Sequence, residues 1–155
     1  MSTRELLQKP TRDQIQEFLR VKPHHLYVLG RLDLQVNVYS QQVRAINLVH
    51  AIAESGDLEP TSSRIAVVGG GAAGLTAAAS AGWLGFRNVT LYERETELLS
   101  AFRHNTVRHL HPHMYDWPYP GWDRSKAGLP ILDWQAGTPK EVAKTIETSW
   151  KRLRD

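Results

Sequence analysis

The run Ile65–Glu93, IAVVGGGAAGLTAAASAGWLGFRNVTLYE, constrains this chain more than any other feature. Ile65–Val68 is a short apolar, β-branched stretch suited to a buried parallel strand. Gly69, Gly71 and Gly74 then stand as G-x-G-x-x-G at the turn into a helix. The first glycine can take the backbone angles of a tight turn. The second lacks a Cβ, so main chain can approach a diphosphate. The third lets helix pack against strand. Ala72, Ala73, Ala77, Ala78, Ala79 and Ala81 favour a helix able to lie close to a sheet, and Gly82 and Gly85 mark its end. Asn88–Tyr92 reads as a second strand, with Val89 and Leu91 on one face. Glu93 closes it, 19 residues after Gly74, near the offset of about 20 residues at which a ribose-binding acid is expected. The pattern predicts a pocket for the ADP half of a dinucleotide. Gly69, Gly71 and Gly74 form its phosphate turn, and Gly70, Ala72 and Ala73 supply backbone N–H groups. The alternative is a βαβ unit with a glycine-rich turn and no ligand.

On Gly69, Gly71, Gly74, Leu75, Gly85 and Glu93 the segment resembles the N-terminal FAD-binding motif of flavoproteins with two dinucleotide-binding domains. That resemblance implies an α/β fold with a Rossmann-like parallel sheet flanked by helices, FAD as cofactor, and Glu93 on the adenosine ribose. NAD-binding domains share the same opening, so NAD is the alternative cofactor. NADP fits less well, because Glu93 repels a 2′-phosphate; Arg94 beside it is the one feature in its favour. The family also usually carries more strands after the acid and a further domain. Only 62 residues follow Glu93, so the chain is expected to be incomplete relative to that family.

Composition narrows the classes. A chain of 155 residues suits one ordinary core. Its net charge is +3 and its basic residues are scattered, which argues against a nucleic-acid partner. With no cysteine, disulfides, thiolate metal sites and redox-active cysteine pairs are excluded. The start lacks a signal-peptide core, and no run reaches the ~20 apolar residues of a membrane span. A soluble, cytoplasmic protein is expected.

Residues 1–62 read as an N-terminal helix, strand and helix extension, and 63–155 as the dinucleotide-binding region, the two able to form one compact unit. Thr11 and Gln14 make a capping box for a helix over 11–20. Leu26–Leu29 reads as a short strand turning at Gly30, and Arg31–Tyr39 alternates as a half-buried strand. Ser40 is the expected cap of a helix with Val43, Ile46, Val49 and Ile52 on one face, stopped by Gly56. Arg44 on that helix is read as a solvated charge, with a phosphate or acidic partner as the alternative. A polar helix is expected over 97–102. From 103 to 137 the pattern is irregular and rich in Trp, Tyr and His, as functional or docking segments often are. A last helix is capped by Thr138 and Glu141, with Pro139 at its first position and Val142, Ile146, Trp150 and Leu153 as its stripe.

Candidate chemistry beyond the glycine turn is sparse. In His109-Leu110-His111-Pro112-His113 an extended backbone puts three imidazoles on one side, but no further ligand stands in register beyond nearby Asp116, and no metal site is assigned. A surface strand is the bland reading. The functional one places a histidine, His109 or His111, near the cofactor to move a proton, and Arg103 or Arg108 on a phosphate. The aromatic stretch 115–122 reads as a strap packed on the sheet or on a protein partner or missing domain, with a substrate or flavin cover as the alternative. No serine elbow and no Lys-Ser/Thr phosphate-loop tail is present. The first expectation is therefore an FAD-dependent oxidoreductase or its FAD-binding region. The second is a non-catalytic dinucleotide-binding or interaction module. The third is an NAD-dependent dehydrogenase. The substrate is not legible.

Overall fold

The computed structural model describes residues 11, 13–15, 20, 21, 25–29 and 36–154. Its elements are β1 (Arg20–Val21), β2 (Leu26–Tyr27), α1 (Val38–Ser55), β3 (Arg64–Val68), α2 (Ala72–Trp83), β4 (Asn88–Tyr92), α3 (Ser100–Arg103) and α4 (Pro139–Arg154). β1 and β2 pair antiparallel as a small hairpin. β3 and β4 pair parallel, Arg64 opposite Asn88 and Val68 opposite Tyr92, with α2 as the crossover between them. Among the described residues the parallel sheet has these two strands.

The βαβ unit forms for the reasons its residues suggest. Ile65, Val67, Val89 and Leu91 turn one sheet face toward α2 and are half-buried. The other face is open: Ala66, Val68, Thr90 and Tyr92 are exposed, Val68 to 85 %. The expectation of a strand buried on both sides is thus corrected. The apolar run Ile65–Val68 is covered by a helix layer on one face alone. α2 is apolar nearly all round and is accordingly buried along almost its whole length, Leu75 and Ala81 completely. Helix α1 lies along it in the same direction. Val38, Tyr39, Val43 and Ile46 pack into the cluster containing Ala72, Leu75 and Ala79, while Ala45 and Val49 pack with Ala77, Ala81 and Phe86. The N-termini of α1 and α2 therefore share one end of the molecule with the C-terminal ends of β3 and β4. The other side of α2 meets Leu129, Ile131, Leu132 and Trp134 of the irregular segment, and Val142, Ala143 and Ile146 of α4.

Several boundaries differ from expectation. α1 begins at Val38, capped by Asn37, whose side chain accepts from Ser40 N–H while Ser40 Oγ accepts from Asn37 N–H. Ser40 is thus the third residue of the helix and not the cap, and an alternating strand cannot run to Tyr39; residues 31–35 of that stretch lie outside the described residues. Gly56 ends the helix in the left-handed region, φ 75°, as its place in the sequence suggests. Thr11 and Gln14 do form the reciprocal box, but Arg20 already belongs to β1, so that helix stops short of the expected bound. The polar helix is also shorter, Ser100–Arg103, because Leu99 takes φ 55° and breaks the turn before it. α4 and its Thr138–Glu141 cap appear as expected. In its stripe Leu153 is exposed, and Ala143 is buried instead.

Candidate functional site

The three motif glycines have three different structural reasons. Gly69 sits at φ 104°, a conformation that side chains rarely adopt. A Cβ on Gly74 would run into the Gly69 carbonyl oxygen and press on Val67 Cγ1 at 3.5 Å, so helix and strand approach this closely only because Gly74 has no side chain. Gly71 differs from both. Its φ is −76°, open to any residue, and an added Cβ would meet nothing within 4 Å. Neither backbone strain nor internal packing demands glycine there. What a missing Cβ provides is access for another molecule to the N-terminus of α2.

That N-terminus differs from those of the other long helices. α1 and α4 both close their first turns with side-chain capping boxes. α2 has no side-chain cap and no acidic residue in its first turn. Its leading N–H groups, Ala72 and Ala73 among them, and its positive dipole end are left for a ligand. This donor set fits a diphosphate. The turn and β4 end together at the C-terminal edge of the parallel sheet, the edge where open α/β sheets bind ligands.

Glu93 is locked to this turn. One carboxylate oxygen, Oε2, accepts from Gly70 N–H, and the other from Glu95 N–H at 2.8 Å. The backbone N–H groups of Glu95 and Gly70 hold its carboxyl below the ordinary carboxylate range. The chain then folds back over the turn. Leu99 N–H donates to the Gly70 carbonyl at 3.0 Å, and Leu98 lies against Gly70, 2.6 Å from where a Cβ would stand. Gly70 is thus buried between Glu93 and Leu98, its N–H already taken by the acid expected to bind ribose. Beyond Leu98 a groove runs between β4, α2 and α4, lined by Ala78, Val89, Leu91, Trp150 and Arg154.

The remaining candidates are dispersed. Arg94 is almost fully exposed beside Glu95, 3.1 Å away. Arg103 donates to the Leu98 carbonyl at 2.8 Å and to Glu147 at 2.7 Å, tying α3 to α4. Arg108 and His109 are exposed, and His109 lies near enough to Glu141 for its charge to matter there. The histidine run does not stay extended. Leu110 bridges to Gly137, and the chain then turns at buried Pro112. The expected alignment of three imidazoles on one side is corrected accordingly. Among the described residues no group of three His, Cys, Asp or Glu is arranged to hold a metal. The aromatic strap does not pack on the sheet: Trp117 and Tyr119 are 67 % and 72 % exposed, while Trp134 is buried.

Residues 64–107 match the family model described as FAD binding domain. The match covers 44 of the 155 residues and indicates FAD binding. No curated protein and no solved structure matches the chain. The matched stretch spans β3, the glycine turn, α2, β4, Glu93 and α3. The match ends before Arg108, the histidine run, the aromatic strap and α4.

Three residues make tertiary ties that the sequence reading did not foresee. Gln42 is completely buried and donates to Thr76 Oγ1 and the Leu132 carbonyl, both at 3.1 Å, while accepting from Trp134 Nε1 at 2.7 Å. Asn37 caps α1 and also donates from Nδ2 to the Pro112 carbonyl at 3.0 Å. His113 bridges Asp116 and the Lys126 carbonyl. Each joins partners far apart in sequence, and no local pattern encodes such a meeting.

Proposed function

We propose that the chain is the FAD-binding region of an FAD-dependent oxidoreductase and holds the ADP half of FAD on a Rossmann-type sheet edge. Gly69 makes the turn, Gly71 admits the diphosphate, and Gly74 brings α2 close. Ala72 and Ala73 offer N–H groups to the phosphates, and Glu93 takes the ribose hydroxyls. Gly71 carries this reading: it is the one motif glycine for which the protein's own backbone and packing give no reason. When bound, FAD supplies the redox chemistry. The chain's own residues bind and orient it. Glu93 is charged at neutral pH, accepts the ribose O–H groups, and in doing so exchanges its bond to Gly70 N–H for bonds to the sugar. Arg94 stands at the rim of this site, paired with Glu95. Arg103 braces α3, which backs the loop over the turn, by its bonds to Leu98 and Glu147.

A second reading, a dinucleotide-binding interaction module without its own catalysis, is supported by the open sheet face and the exposed aromatics. One preparation separates the two. The purified protein is denatured and the released small molecule identified by mass spectrometry. FAD is expected, and adding FAD to about 100 times its Kd raises stability by about 2.7 kcal/mol. A protein that releases no FAD and gains no stability from it overturns both. Bound FAD that no reductant reaching the protein's surface converts, with Trp117 and Tyr119 engaged by another chain, favours the module.

A further inference from the structure

Outside the family match, the strap carries side chains that the fold does not use. Met114, Tyr115, Trp117, Tyr119 and Trp122 all stand exposed. A contiguous exposed patch of large apolar groups marks a binding surface. Its stem is firmly paired. Leu110 and Gly137 exchange both backbone bonds, at 2.8 and 3.1 Å, and Ala136 N–H donates to the Ser125 carbonyl at 2.7 Å. Lys126 bridges to Gln135. The rings are thus presented on a fixed support, so a ligand need not order it.

The place of this stem decides what the rings can reach. Leu110 and Ala127, at its two ends, pack into the same apolar cluster as Ala72, the first residue of α2. Pro112 is fully buried, and its carbonyl accepts from Asn37, the cap of α1. Tyr39, from the first turn of α1, meets the His113 ring edge-on at 4.9 Å between centroids. The strap therefore rises beside the N-termini of α1 and α2, at the end of the molecule where the glycine turn opens.

The side matters as much as the end. Glu93 follows β4, and the groove on that side of α2 is lined by β4, Leu98 and α4, with no residue of α1. α1, with the strap anchored on its first turn, lies across α2 from Glu93. A dinucleotide carries its two halves on opposite ends of a diphosphate. With adenosine at Glu93, the other half leaves the N-terminus of α2 on the far side, toward the strap.

We propose that the exposed strap rings Trp117, Tyr119 and Trp122 receive the isoalloxazine of FAD. This rests on the ADP half being held at the glycine turn. The isoalloxazine offers a broad planar face, and indole and phenol rings stack on such faces. Their N–H and O–H groups remain at the ring edges to meet its carbonyl oxygens.

Titration of the full chain with FAD and, separately, with ADP-ribose tests this. ADP-ribose shares the adenosine and diphosphate but lacks the flavin. The parent should bind FAD at least about tenfold more tightly than ADP-ribose, the share of one stacked ring, and should quench flavin fluorescence. Trp117→Ala combined with Tyr119→Ala should remove that advantage and the quenching. ADP-ribose affinity and Tm should stay as in the parent, because both side chains are exposed. Trp83→Ala, exposed at the other end of α2, should alter neither affinity. Equal FAD and ADP-ribose affinity in the parent overturns the strap seat and leaves the glycine-turn reading standing. So does parental FAD affinity in the double variant while ADP-ribose still binds. A parent that binds neither ligand overturns the glycine-turn reading, and this one with it.

Discussion

At the scale of single residues, the glycine turn separates two demands that one motif conceals. Gly74 answers to the fold and Gly71, on the proposed function, to the ligand, so their substitutions should part company. Gly74→Ala forces a methyl group into the Gly69 carbonyl and should cost about 3 kcal/mol, the upper end for overpacking. Gly71→Ala places its methyl in open space and should cost about 1 kcal/mol or less as a cap change, yet lower FAD affinity by at least about a hundredfold, the loss of two charge-assisted contacts. Thermal melts and flavin titrations on the pair read both effects. Equal FAD affinity in Gly71→Ala and parent would remove the diphosphate from this turn. Glu93→Ala should weaken FAD binding by about tenfold to a hundredfold, the scale of hydrogen bonds to a charged group. An unchanged dissociation constant by titration calorimetry takes Glu93 out of the ribose site.

At the scale of elements, the site is held by the way helix ends are treated. α1 and α4 satisfy their first N–H groups with Asn37–Ser40 and Thr138–Glu141. α2 does not, and it is the helix proposed to face the cofactor. α2 keeps its place because α1 and the 129–134 segment enclose it, and Gln42 is the polar tie through that apolar contact. Gln42→Leu leaves Trp134 Nε1, the Leu132 carbonyl and Thr76 Oγ1 without their buried partner. The expected loss is about 2–4 kcal/mol, or a Tm lower by about 5–15 °C for a chain of this size. A Tm within a degree of the parent would show that these three groups find other partners. The sequence foretold α2, β4 and α4 closely because their signals are local: glycine punctuation, alternation and a capping box. It misplaced the start of α1, since Asn37 and Ser40 are both good caps and their reciprocal bonds decide between them. It did not tell whether the strap packs on the sheet, since proline-broken aromatics look alike whether buried or exposed.

At the scale of the whole molecule, three carboxylates make stability depend on acid. Glu93 is held low by the Glu95 and Gly70 N–H groups, and Glu141 by the backbone N–H and hydroxyl of Thr138. For Glu147, burial pushes its carboxyl up, but Lys151 and Arg103 outweigh it and the net direction is down. Each binds its proton less readily folded than unfolded. Their contribution is therefore complete above the ordinary carboxylate range and is lost as the pH falls through that range toward the lower folded values. Melting temperature measured across a series of acidic buffers should decline there, and Glu141→Gln should flatten part of the decline at the C-terminal helix. A Tm indifferent to acid would mean these bonds persist when protonated.

What the amino-acid order determined alone was the strand–turn–helix–strand unit, because G-x-G-x-x-G, the alanine run and Glu93 act through neighbours a few residues away and through backbone geometry that each residue type imposes by itself. What the tertiary structure decided was everything that joins distant segments: Gln42 meeting Trp134, Asn37 meeting Pro112, Glu93 folding onto Gly70, and His113 reaching Lys126. Those meetings depend on how helices pack and where a loop returns. Their free energy arises only once water has been excluded between surfaces that no short stretch of sequence contains.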